Sequence, residues 1–199
     1  VTFAKDVPST GTDNPFADVR TNDWFFDDVM FVHQNGLMSG ISDTTFSPSA
    51  NATRAQLAVI FYRMDGSRAV DSEATFTDVP RNSGTAWYYD AVTWAQKNGI
   101  LEGYEDGTFH PDELITREQL AVVFCNYAEY KERSTAAAGD VSAFADVQEI
   151  SPWAQEAMKW AVGSGLIGGK GNGVLDPRGT ATRAEVAAML HNFSAKNGI

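Results

Sequence analysis

The sequence predicts a mainly α-helical chain of three helix–turn–helix repeats around a central three-helix bundle, on three observations: one residue ruler used three times, helical apolar spacing, and three helix-capping signatures. "FADV" at 16–19, "FTDV" at 76–79 and "FADV" at 144–147 open the repeats. In each, a tryptophan (Trp24, Trp87, Trp153) is followed 12 residues later by a glycine (Gly36, Gly99, Gly165) and 4 after that by another (Gly40, Gly103, Gly169). An apolar residue stands 22 after the tryptophan (Phe46, Phe109, Leu175), with proline two beyond it (Pro48, Pro111, Pro177). A Thr-Arg pair at 53, 116 and 182 completes the ruler.

The elements follow in chain order. From each tryptophan, apolar residues recur at helical spacing, as in "WYYDAVTWA", which predicts a helix of about three turns ended by the first glycine in the left-handed conformation. The stretch up to the proline, "GYEDGTFHP" in the second repeat, reads as a glycine-punctuated turn with room for a very short extended segment only. A second helix starts at the threonine. Thr53 with Gln56, Thr116 with Gln119 and Thr182 with Glu185 fit the capping box, in which each side chain satisfies the other's backbone N–H. The helices that follow, such as "EQLAVVFCNYAEY", are apolar round much of their circumference and should be buried on more than one side. Three such helices imply the central bundle.

Residues 1–15 read as an N-terminal arm, and the repeats span 16–66, 76–131 and 144–196. "DGSRAVDSEA" and "KERSTAAAGDVS" read as linkers without periodicity. A helix pair of this size cannot bury its apolar face alone, so the repeats should fold as one cooperative unit.

Composition narrows the function. Lys+Arg 15 against Asp+Glu 26 gives a net charge of −11, which repels nucleic acid and anionic lipid except at a local basic site. No apolar run approaches the ~18 residues that would cross a bilayer, so no membrane insertion is expected. The single cysteine, Cys125, excludes a disulfide framework or a thiolate zinc cluster, and its place in "AVVFC" reads as a buried, unreactive thiol. The start "VTFAKDVPST" lacks a leader's charged end and apolar centre, which fits a cytosolic protein or a segment of a secreted one.

Against this frame "ATRAQLAVIF" at 52–61 is odd, because it puts Arg54 where a helix carries about half a positive charge and unpaired N–H groups.

The FxDV starts, the tryptophan-led helix, the G-x₃-G spacing, the "GYEDGTFHP" turn and the TRAQ, TREQ and TRAE helix starts resemble the S-layer homology family over about residues 16–196. The resemblance implies a three-pronged spindle whose grooves, between neighbouring repeats, hold secondary cell-wall polysaccharide through an anionic, commonly pyruvylated, amino sugar. It implies a groove built from Arg54, Arg117 and Arg183; Trp24, Trp87 and Trp153; Asp18, Asp78 and Asp146; and Gly40, Gly103 and Gly169. It implies an extracellular place on the bacterial cell wall, and a monomeric module of a larger surface protein that continues beyond one or both ends. Departures from the family pattern mark the first repeat, with Gln56 and the turn "GISDTTFSP", and the third, whose turn "GGKGNGVLDP" gains Lys170 and loses the aromatic before the proline. The second repeat is closest to type and is the expected intact site.

On this reading the arginine answers its own puzzle: a guanidinium beside the free N–H groups of a helix start is an anion receptor. The competing role is a tie to an acid such as Asp43, Asp106 or Glu118. The tryptophans suit either core or a sugar-stacking platform, with Phe31, Trp94 and Trp160 as plain core. The FxDV aspartates suit caps or turns before any hydroxyl contact, and the second glycines suit either a positive φ or a close backbone approach to a ligand.

Catalysis is not expected. Spaced acids recur in all three repeats, whereas a glycosidase needs one opposed pair; His33, His110 and His191 sit at different offsets; and G-x-S-x-G, HExxH and phosphate-loop motifs are absent. No cofactor is implied, and a Ca²⁺ site around Asp43, Asp106 and Asn172 would have too few oxygen ligands. The rival binding readings are a protein–protein adhesion or lattice-assembly module, and an anchor to peptidoglycan-linked carbohydrate.

Overall fold

The computed structural model describes residues 14–82, 84–136 and 139–198. All but the last two residues of the expected N-terminal arm therefore lie outside the described residues. Among the described residues there are six α-helices: α1 (Phe26–Gln34), α2 (Arg54–Met64), α3 (Tyr89–Lys97), α4 (Arg117–Tyr130), α5 (Gln155–Gly163) and α6 (Arg183–Asn197). Short 3-10 turns, Val147–Glu149 and Pro152–Ala154, precede α5, and extended structure is limited among the described residues to isolated bridges such as Ser42 with Thr45. The chain is mainly α and carries three repeats, as its sequence indicates.

The first helix of each repeat starts later than expected. α1 and α3 begin two residues after Trp24 and Trp87, and Trp153 sits in the 3-10 turn ahead of α5, so each of these helices is nine residues long. The tryptophan belongs to the bend that feeds the helix. The C-terminal stops are where glycine was needed: Gly36, Gly99 and Gly165 take φ of 67°, 66° and 67°, which costs a residue with a Cβ about 1 kcal/mol or more.

The second helices start as read. Thr53, Thr116 and Thr182 each accept from the N–H three residues on, and Gln56, Gln119 and Glu185 return a bond to the threonine N–H. A cap of this kind stabilises a helix by about 1 kcal/mol. α2 buries Ala55, Leu57, Ala58, Val59, Ile60, Phe61 and Met64, on more than one side.

The helices in close contact are α1 with α6, α2 with α3, and α4 with α5. Each first helix thus lies against the second helix of a different repeat, which explains why one repeat alone cannot cover its apolar stripe. The described chain divides into two compact units, 14–51 with 182–198, and 52–181. The first holds α1 and α6, with Val29, Val32, Val186 and Leu190 fully buried. In the second, α2 and α4 meet through Phe61, whose ring lies 4.9 Å from Phe124 and 5.1 Å from Tyr127. Burying one such ring contributes roughly 2–3 kcal/mol.

Two sequence readings are corrected here, and one tie is added to them. Asp65 and Lys131, at the ends of the first and second repeats, form a part-buried tie between the ends of α2 and α4: the Lys131 ammonium donates to Asp65 at 2.8 Å, and the Tyr130 hydroxyl donates to it at 3.2 Å. Spacing along one chain does not show two helix ends converging. Phe31 is half-buried and stacks on the His191 ring at 4.2 Å, while Trp94 and Trp160 are core as expected. Cys125 is half-buried; burial, then the Glu129 charge, push its thiol up, which keeps it unreactive despite its exposure.

Candidate functional site

Three equivalent joints lie at the starts of α2, α4 and α6. In each, the first turn of a helix docks on the glycine-punctuated turn of another repeat. The Arg54 N–H donates to Glu113 carbonyl and the Ala55 N–H to Pro111 carbonyl, both at 2.9 Å. At α4 the donors are Arg117 and Glu118 and the acceptors Gly179 and Pro177, both at 2.9 Å. At α6 they are Arg183 and Ala184, onto Ala50 at 2.8 Å and Pro48 at 3.0 Å. With the threonine taking the third N–H, the helix mouths are closed by protein. The expectation of free N–H groups waiting for an anion does not hold, because the turn of another repeat already supplies the carbonyls.

The guanidinium follows the backbone into the same turn. Arg54 Nε donates to Phe109 carbonyl at 2.8 Å and Nη2 to Glu102 carbonyl at 2.6 Å. Arg117 repeats this on Leu175 at 3.0 Å and Gly168 at 2.6 Å, and Arg183 on Phe46 at 2.9 Å and Ser39 at 2.6 Å. All three residues are 5% exposed. Burial lowers the affinity of Arg54 and Arg183 for their protons, opposed at Arg54 by Tyr104, Glu113 and Asp78 and at Arg183 by Asp18. Aromatic faces support two of them: the Arg54 guanidinium carbon lies 4.7 Å from the Phe109 ring and 4.9 Å from Tyr104, and that of Arg183 lies 4.6 Å from Phe46.

Two of the acids weighed as partners, Asp106 and Glu118, go elsewhere. Asp106 accepts from the Thr108 N–H at 3.0 Å, and Glu118 accepts from Ser151 N–H and Oγ, both at 2.8 Å. Glu118 is itself buried and fixes the start of the bend that carries Trp153.

The FxDV aspartates tie the turns from the other side. Asp18 accepts from Phe46 and Ser47 N–H at 2.9 and 2.7 Å, Asp78 from Phe109 and His110 at 2.8 and 2.7 Å, and Asp146 from Leu175 and Asp176 at 2.9 and 2.6 Å. They are turn formers, and they hold Ser47, His110 and Asp176 at φ of 59°, 54° and 56°. At Asp146 desolvation raises the carboxyl, but the N–H groups of Leu175 and Asp176 outweigh it and hold the group below its ordinary range.

Gly40, Gly103 and Gly169 serve close approach. A Cβ on Gly40 would sit 2.6 Å from Thr45 carbonyl and 2.7 Å from the Phe16 ring; on Gly103, 2.5 Å from Thr108 carbonyl; on Gly169, 2.9 Å from both the Phe144 ring and Val174 carbonyl. The positive φ considered for them is not adopted. The ring that backs each glycine is the FxDV phenylalanine, a repeated residue the sequence offered as a signal. The carbonyl acceptors carried none, since every residue has one.

The tryptophans stand apart from these networks. Trp24, Trp87 and Trp153 are 67%, 56% and 58% exposed, although each begins an apolar segment. Trp24 and Trp87 rest edge-on against Phe25 and Tyr88 at 5.3 and 4.8 Å. The structure thus brings arginine, aspartate and glycine together in each turn, and leaves an open indole in the bend that leads into the first helix of the same repeat.

A model of the S-layer homology domain matches residues 15–58, 75–121 and 143–187. An endoglucanase of Bacillus sp. (strain KSM-635) is 32% identical over 176 residues, 88% of this chain and 18% of that protein. The surface-layer 125 kDa protein of Lysinibacillus sphaericus is 32% identical over 158 residues, 78% of this chain and 13% of that one. The cellulosome-anchoring protein of Acetivibrio thermocellus is 31% identical over 127 residues, 64% of this chain and 26% of that one. The chain spans between 13% and 26% of the length of these relatives. Three ordered matches over more than half of its length, each enclosing one FxDV start and the first turn of one arginine-led helix, show that the chain belongs to the S-layer homology domain family.

Proposed function

We propose that this chain is a non-covalent anchor of the bacterial cell surface, which binds secondary cell-wall polysaccharide through a site in each repeat. The observation that carries it is the triple exposure of Trp24, Trp87 and Trp153. A large aromatic costs solvation when left open, and an indole face suits the C–H face of a sugar ring. The surface-layer and cellulosome-anchoring names of two relatives support the anchoring role. The endoglucanase match covers 18% of that protein, so shared sequence argues for a shared module and not for shared catalysis.

Within each site the tryptophan contacts the ligand. The arginine, aspartate and second glycine hold the turn beside it. Both described bonds of Arg54, and both of Arg183, end on neutral carbonyls, with Glu113 and Asp78 acting on the first charge and Asp18 on the second from a distance. An anionic sugar, such as a pyruvylated one, would add an opposite charge beside each guanidinium, which favours it over a neutral one. Several modest sites acting on one repeating polymer gain residence through avidity.

Calorimetric titration with native and depyruvylated wall-polysaccharide fragments tests both levels. Binding of the native fragment, weakened at least tenfold on depyruvylation, is expected. Equal binding of the two sinks the anionic-sugar assignment. No binding, together with concentration-dependent self-association, replaces the wall anchor with a lattice module.

A further inference from the structure

The residue after the second glycine and the residue six beyond it form a pair at one place in all three turns, on a common backbone. Ile41 N–H donates to Thr45 carbonyl, Tyr104 to Thr108 and Lys170 to Val174, each at 2.8 Å. The second members, Ser47, His110 and Asp176, share the left-handed conformation and the bond to the FxDV aspartate. Main-chain and aspartate bonds hold the turn whatever these two side chains are. Their chemistry can therefore diverge without loss of fold, and it does.

In the second repeat the pair is aromatic. Tyr104 meets His110 edge-on at 4.7 Å, donates its hydroxyl to Glu113 at 2.7 Å, and lies against the Arg54 guanidinium, yet it stays 38% exposed. The ring is fixed at three points and open to solvent, so little side-chain freedom remains to be lost on binding. In the third repeat the pair is ionic, Lys170 to Asp176 at 3.3 Å. In the first it is Ile41, 64% exposed, with Ser47, an aliphatic side chain with no ring to stack on a sugar.

We infer that this pair sets the ligand preference of each site: Tyr104 with His110 makes the second-repeat turn a sugar-stacking subsite, and the other two turns lack it. The inference rests on the wall-polysaccharide reading above. The three sites of the chain are then unequal, with the tightest in the second repeat.

The test uses the full chain and single-repeat-unit fragments of secondary wall polysaccharide, titrated calorimetrically, with thermal unfolding recorded for every variant. The unaltered chain should show one tight class of sites and a weaker remainder. Tyr104→Ile should weaken the tight class by about tenfold, the scale of one lost ring contact. Tyr104→Phe, which keeps the ring and loses the hydroxyl, should retain it, and Ile41→Tyr should strengthen a second site. A Tyr104→Ile titration matching that of the unaltered chain overturns the inference alone. So does equal loss in Tyr104→Phe with the melting temperature kept, which would assign the effect to the hydroxyl bond. No binding by the unaltered chain overturns both this inference and the anchoring reading.

Discussion

Arg183 Nη2 donates to Ser39 carbonyl at 2.6 Å, a bond between residues 144 positions apart that ties the third repeat's second helix to the first repeat's turn. With Nε on the carbonyl of buried Phe46 it forms a two-pronged grip on that turn. Arg183→Ala should lower the free energy of unfolding by about 3 kcal/mol, because two charge-assisted bonds vanish and two carbonyls lose their partner. Arg183→Lys should recover less than half of that, since an ammonium cannot span both carbonyls. Urea denaturation measures both; a loss under 1 kcal/mol for the alanine variant would remove the arginine's role as a tie.

Two glycines four residues apart should respond for different reasons. Gly103→Ala drives a methyl against Thr108 carbonyl and the Phe76 ring, an overpacking that should destabilise the chain by about 3 kcal/mol. Gly99→Ala meets open space and only the strain of φ 66°, worth about 1 kcal/mol. Equal melting-point shifts for the two variants would contradict the close packing at Gly103.

Glu118 binds both donors of Ser151, two residues before Trp153. Its repeat-equivalent positions are Ala55 and Ala184, so this fastening is special to the third repeat. Glu118→Ala should cost about 2 kcal/mol and shift the Trp153 emission, whereas Glu118→Gln, which keeps one acceptor oxygen, should cost about half as much. An unchanged emission spectrum in the alanine variant would show that Glu118 does not position the bend.

Replacing the open indoles should separate binding from stability. Trp24→Ala, Trp87→Ala and Trp153→Ala should each change stability by less than about 1 kcal/mol, because so much of the ring is already in water. Each should lower retention on purified wall polysaccharide, and the triple variant should abolish it. Retention by the triple variant in a co-sedimentation assay would refute the tryptophans as ligand contacts.

Acid should loosen the third turn late. Asp146 is held below the ordinary carboxylate value in the folded chain. Its contribution is therefore present above the unfolded value, about pH 4, and is lost as pH falls through the lowered folded value. A carboxyl-carbon NMR titration should place the Asp146 midpoint below that of an unfolded peptide, and Asp146→Asn should remove this step from the acid-unfolding curve. A midpoint at or above the peptide value would overturn the assignment.

The local part of this protein was legible because its causes are local. Thr53, Thr116 and Thr182 cap their helices through a residue three positions away, and Gly36, Gly99 and Gly165 stop theirs by backbone freedom alone. Both effects act within one turn of chain and leave a mark on spacing. The repeat itself was legible because three copies of one unit preserve the ruler.

What Arg54, Arg117 and Arg183 do was not legible, since their acceptors are main-chain carbonyls 48 to 144 residues away in another repeat. A carbonyl has no letter in the sequence. The Asp65–Lys131 tie was hidden because two helix ends converge only in the fold, and spacing left the tryptophans open between core and platform. Sequence alone therefore determined where each second helix begins, where each first helix stops and that there are three copies. Only the tertiary structure decided which repeat each helix start would dock on, and so which side chains became ties and which remained open to a ligand. Burial and partner choice depend on segments distant in the chain, and hydrophobic spacing says only that a face will be covered, not by what.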